Sequence, residues 1–181
     1  MMMICGFWVV SLCTSFAAAQ QPQQQLTKVA AVQMSMSLDL EKNVETALGL
    51  VGEAADAGAK IIVLPEIFVV RYFPIETDPK WYAYAESQHN NSRLEKFQAA
   101  AKARGVVVIY PFYEVAANGA THYDSAAVID ADGRVLGAYR KSQLPDDDGW
   151  AEKYYFAPGD TGFRVWDTKH GRVGVGIGRR P

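Results

Sequence analysis

The segment Ile61-Ile62-Val63-Leu64-Pro65-Glu66 limits the choice of fold more than any other in the chain. Four apolar residues in a row, three of them β-branched, are too few for a helix and carry no polar face, which suits a strand covered on both sides. Pro65 has no amide hydrogen to continue a ladder, so the strand ends there and leaves Glu66 at its exit. Neighbouring patterns supply the cover. Residues 37–57 place Leu40, Val44, Ala47, Leu48, Val51, Ala54 and Ala55 at three- and four-residue spacing, with Glu41, Glu45 and Glu53 on the opposite side. That spacing predicts an amphipathic helix, capped by Ser37 or Asp39 and ended by Gly58.

A short buried strand over 28–34 precedes this helix. A second helix over 92–104, closed by Gly105, leads into the apolar strand Val106-Val107-Val108-Ile109-Tyr110. The order strand, helix, strand, helix, strand makes the chain α/β. Its second half changes character: residues 123–129 and 135–140 flank the turn Asp130-Ala131-Asp132-Gly133, and residues 163–168 and 172–177 flank Lys169-His170-Gly171. Both read as β-hairpins.

Composition narrows the chemistry. With 181 residues, 49% hydrophobic and 21% charged, the chain is long enough for one domain with a real core. A net charge of −2 with no basic stripe argues against nucleic acid and favours small, neutral or weakly charged ligands. Residues 1–19 read as a signal peptide: 4–16 is mostly apolar and Ala17-Ala18-Ala19 supplies a cleavage site. A Gln-rich linker follows over 20–26, and the folded part is expected over 27–181. The first basic side chain is Lys28, so an interfacial anchor or a different start codon stays open beside export, the second implying a cytoplasmic protein. Cys5 and Cys13, the two cysteines, both lie in that apolar segment. A processed chain would hold no disulfide and no thiolate metal site. His89, His122 and His170 match no ligand spacing, so neither metal nor cofactor is expected. Asp146-Asp147-Asp148 reads as a solvated turn, and Trp81-Tyr82-Ala83-Tyr84 as packing under a loop.

Three pieces recur in a fixed order: Leu64-Pro65-Glu66, then Tyr139-Arg140-Lys141, then Glu152 ahead of Phe156-Ala157-Pro158-Gly159-Asp160. With Asp160-Thr161-Gly162-Phe163 and Val165-Trp166-Asp167-Thr168 they resemble the nitrilase superfamily of carbon-nitrogen hydrolases. The resemblance implies an α-β-β-α sandwich, here C-terminally incomplete, and a small carbamoyl or amide substrate. It also implies a homo-oligomer in a complete family member. Cleaving an unactivated carbon–nitrogen bond needs a nucleophile, a base, and a cation where charge develops on the carbonyl oxygen. By the resemblance, Glu66 is the general base and acid, Lys141 stabilises the oxyanion, and Glu152 holds Lys141 and the substrate in register. The stretches 139–146 and 152–156 point toward the branch that cleaves carbamoylated amines.

The superfamily's nucleophile, a cysteine, follows a small apolar strand. Gly171-Arg172-Val173-Gly174-Val175-Gly176-Ile177 matches that strand, but Gly178-Arg179-Arg180-Pro181 stands where cysteine, an aromatic residue and an acid should follow. Loss of the nucleophile from a cooperative set removes most of the rate enhancement, so the chain as written is expected not to hydrolyse amides. Three readings stay open: an incomplete hydrolase, a secreted nucleophile-free protein that binds a carbonyl ligand or a full-length relative, and a gene product that continues beyond this reading.

Overall fold

The computed structural model of the chain describes residues 26–145, 147 and 149–178. The apolar segment and most of the Gln-rich stretch expected at the N-terminus lie outside those residues, as do Arg179, Arg180 and Pro181. Five strands form one sheet in the order β1 (Val29–Ala31), β2 (Ile61–Val63), β3 (Val107–Val115), β4 (His122–Ile129) and β5 (Val135–Arg140). The β1, β2 and β3 strands run parallel, while β3, β4 and β5 are antiparallel neighbours. Two helices supply the parallel crossovers, α1 (Leu40–Asp56) and α2 (Ser92–Arg104).

Caps set the helix ends. Of the two residues expected to cap α1, Asp39 does so, its carboxylate accepting from Lys42 N. Asn91 caps α2 by accepting from Arg93 N and Leu94 N, and Gly105 closes it in a left-handed conformation at φ +62°. Val44, Ala47 and Val51 of α1 pack with Leu94, Phe97 and Ala101 of α2 onto Ile62, Val108, Tyr110 and Ala127 of the sheet. Each fully buried Val, Leu, Ile or Phe among them contributes about 1.5–3 kcal/mol relative to exposure. Glu41 ties the outer sides of the two helices by accepting from Arg93 at 3.0 Å and Lys96 at 2.7 Å.

The other face of the sheet presents Val107, Ile109, Ala126, Val128 and Tyr139 to a second sheet, from which Trp166 and Val173 pack against it. This second sheet is the hairpin β6 (Val165–Thr168) and β7 (Gly171–Gly174), turning at Lys169 and His170. Helices, sheet and sheet therefore form three layers.

Several expectations shift in detail. The buried strand over 28–34 pairs only over Val29–Ala31, and Val29 is 66% exposed, because β1 is the outermost strand and has one neighbour. The β2 strand is fully covered on one side only: Ile62 is buried, whereas on the other face Ile61 packs in part against the second sheet and Val63 is 39% exposed. Strand β3 runs well past Tyr110. Pro111 is tolerated there because β2 pairs with β3 only as far as Ile109 and the next contact on that edge is Glu86, which bonds Tyr113 and Val115.

The long connection from β2 to α2 folds around rings. Phe73 stacks on Trp81 at 5.4 Å and meets Tyr113 and Tyr155 edge-on or tilted, with a short 3-10 helix at Pro79–Tyr84 carrying Trp81 into the cluster.

Candidate active site

Glu66 emerges just past β2, as Pro65 dictates. The next residue, Ile67, is buried at φ +50°, a left-handed conformation that a β-branched residue adopts only under constraint. Its side chain is held in the aromatic cluster with Phe73 and Trp81, so packing enforces the bend that aims Glu66.

Lys141 follows the last residue of β5. Its backbone is fixed from both sides: its N–H donates to Asp124 O and its carbonyl accepts from Gly159 N, each at 2.8 Å. A Cβ at position 159 would lie 2.1 Å from Arg140 O, so only glycine permits this approach. Glu152 opens the short helix α3 (Glu152–Tyr155), which is docked by Ala151 N donating to Pro74 O at 2.7 Å.

These three sequence-selected residues converge. Lys141 Nζ donates to Glu66 Oε1 at 2.8 Å and to Glu152 Oε1 at 2.7 Å; Glu152 Oε2 is equally close but off the hydrogen-bonding direction. Two further residues complete the group. Tyr72 donates its hydroxyl to Glu152 Oε1 at 2.6 Å, and Asp124 of β4 places Oδ2 3.3 Å from Lys141 Nζ. Neither was singled out from the sequence. Asp124 sits in the polar first half of β4 beside Ser125, and Tyr72 in an irregular segment, so no periodicity marks either.

Electrostatics follow from crowding. Burial disfavours the charged form of Lys141, but the surrounding acids, with Glu152 and Glu66 accepting its hydrogen bonds, outweigh it and hold the ammonium charged far above neutrality. Burial likewise favours a protonated Glu66, yet hydrogen bonds from Asp124 and Lys141 win and keep its carboxyl below the usual range. Burial, then the hydrogen bond to Glu152, pushes the Tyr72 hydroxyl far up, so it stays a donor. Glu66, Tyr72, Lys141, Trp150, Glu152 and Gly178 surround a cleft of about 250 Å³. Among the described residues, no group of three or more His, Cys, Asp or Glu side chains is placed to hold a metal ion.

Gly178 closes the cleft from the stretch after β7. Its φ is +113°, and a Cβ there would lie 3.0 Å from Lys141 Cε and 3.7 Å from Nζ. The position expected for the nucleophile thus faces the ammonium, and it carries no side chain. Of the aromatic residues expected to pack, Trp81 is buried in the ring cluster. Asp147 is exposed, while Asp146 and Asp148 lie outside the described residues.

The exits of β2 and β5 and the start of α3 thus bring glutamate, lysine and glutamate to one small cleft. The carbon-nitrogen hydrolase family model matches residues 28–178, and the chain belongs to that family, within the nitrilase superfamily. It is 43% identical over 155 residues to an N-carbamoylputrescine amidase of Solanum lycopersicum, covering 86% of this chain and 51% of that protein. It is 39% identical over 150 residues to a citrullinase of Francisella tularensis, covering 83% of this chain and 52% of that protein. A solved carbon-nitrogen hydrolase from Helicobacter pylori superposes with a TM-score of 0.70 at 31% identity, covering 77% of this chain and 48% of that one. The chain spans about half the length of the curated relatives it matches.

Proposed function

We propose that the cleft receives the carbamoyl group of a small carbamoylated amine, the group shared by the substrates that the two relatives' names denote. The observation that carries this reading is Lys141, a charged ammonium held between Glu66 and Glu152 at 2.7–2.8 Å and facing a small cleft. A carbonyl oxygen directed at that ammonium would be polarised, and negative charge developing on it would be offset in place. Glu66, ionised at neutral pH, is the group able to accept and return a proton. Glu152, bridged by Tyr72, keeps Lys141 from swinging away.

Hydrolysis by this arrangement needs a nucleophile, which the family resemblance makes a cysteine thiol. Position 178 is glycine, and no cysteine occurs among residues 26–178. The chain as written therefore binds its ligand without turning it over. The N-terminal apolar segment is proposed to route it for export.

Incubating the purified chain with N-carbamoylputrescine tests the reading by two readouts. Thermal stabilisation without ammonia release is the expected result. Ammonia release would overturn the loss of turnover, and absence of any stabilisation would overturn the ligand class.

A further inference from the structure

Asp124 is the group in the cleft that the proposed chemistry leaves unused. Its side chain is fully enclosed, with 0% exposure, and neither oxygen receives a hydrogen bond from a donor. Lys141 spends its short contacts on Glu66 and Glu152 and stays 3.3 Å from Asp124 Oδ2. The neighbouring carboxyl is Glu66, held against the same ammonium: Glu66 Oε1 lies 2.8 Å and Asp124 Oδ2 3.3 Å from Lys141 Nζ. Glu152 and Tyr72 also face it, the first acidic and the second a neutral phenol.

Lys141 at 3.3 Å favours an ionised Asp124, but that carboxylate would be unsolvated, without a hydrogen-bond donor, and beside the acids Glu66 and Glu152. Each of these latter conditions opposes ionisation. One ammonium against three carboxylates would also leave two excess negative charges in a water-poor site. A single proton halves that excess and turns one of two neighbouring acceptors into a donor. Its location follows from exposure: the Glu66 side chain is 32% exposed and can be solvated as an anion, whereas that of Asp124 cannot.

We propose that Asp124 and Glu66 share one proton, carried on Asp124, and that Asp124 is thereby a positioning residue that aims the Glu66 carboxylate by donating to it. Burial first, and then Glu66, hold the Asp124 carboxyl well above the usual aspartate range, in keeping with this arrangement. The inference concerns the ligand-free chain, so it stands or falls separately from the ligand assigned above.

The sign of the pH dependence is fixed. Native Asp124 keeps a proton that the unfolded chain, with an aspartate near pKa 3.9, releases. Its contribution to stability is therefore complete below about pH 4 and is lost as pH rises toward the native value. Asp124→Asn keeps an N–H donor toward Glu66 but cannot titrate. Glu66, held low, titrates at more acid pH and leaves the window above pH 5 clear. Urea unfolding of the two proteins at pH 5, 6 and 7 is the test. The wild-type folding constant should fall relative to Asp124→Asn by about tenfold per pH unit. A difference independent of pH, with the variant uniformly weaker, would mean that Asp124 is ionised and paired with Lys141, and would overturn the proposal. Should the variant fail to fold, the infrared spectrum of the wild-type chain at pH 7 decides alone. A protonated carboxylic-acid carbonyl band is expected, and its absence would overturn the assignment.

Discussion

Arg140 and Lys141 are neighbours in sequence and end in buried charge clusters of opposite kinds. Arg140 donates Nε and Nη2 to Glu114 at 3.0 and 2.6 Å, and Ser125, its register partner across the β4–β5 ladder, donates to the same carboxylate at 2.5 Å. Nη1 reaches Asp160 at 2.9 Å, and the guanidinium lies 4.0 Å from the Tyr123 ring centroid. Both Glu114 oxygens are satisfied. One step along the chain, Lys141 faces three acids and satisfies two of them. Alternation along β4 turns Ser125 toward the first cluster and Asp124 toward the second. The lesson is that a planar fork meeting one carboxylate builds structure, whereas a point charge surrounded by surplus acceptors stores chemical potential at a cleft.

Lys141→Met should have the largest effect. Removing the ammonium leaves three carboxyl groups uncompensated, and urea unfolding at pH 7 should report a loss of about 3–5 kcal/mol. Without Lys141 the acids take raised native pKa values, so stability returns below their unfolded pKa and disappears as pH rises. A loss unchanged between pH 5 and 8 would break the contrast between the clusters. Arg140→Met should cost about 2–3 kcal/mol by the same measurement, since Glu114 is stranded but keeps the Ser125 hydroxyl. Tyr72→Phe deletes one hydrogen bond to a charged acceptor that Lys141 still serves, for about 1.5 kcal/mol. Asp160→Asn is the smallest change: this carboxylate is largely exposed, and its contact with Arg140 should be worth under about 1 kcal/mol and shrink further in 1 M salt. A larger loss there would show the Arg140 cluster to be less self-sufficient than its geometry implies.

Much of this was legible from the sequence because it rests on local signals. Pro65 and Gly105 mark boundaries by removing an amide hydrogen or permitting a left-handed turn, and the spacing of Leu40 through Ala55 fixes the buried side of α1. Glu66, Lys141 and Glu152 could be selected together only through their resemblance to a family motif; no spacing of 75 and 11 residues predicts a shared contact. The β3–β4 hairpin went unread although Asn118-Gly119 announces it: the Asn118 side chain accepts from Ala120 N and Thr121 N, and Gly119 sits at φ +70°. Strand β3 hid its own continuation behind Pro111, which resembles a terminator unless the neighbouring strand is known to stop first. Tyr72 and Asp124 gain their roles from tertiary placement alone.

Ile67 bears on how such a site could be lost. A residue that would be most comfortable as glycine is instead a bulky aliphatic anchor, so the direction of Glu66 is set by the apolar ring cluster beside it rather than by the ions it contacts. The orientation of the acid is thus mortgaged to the greasy side of the loop. Agents that soften aromatic packing should disorder the acid before any charge is neutralised, and a mutation at Phe73 or Trp81, neither of which lines the cleft, would act as a site mutation in disguise.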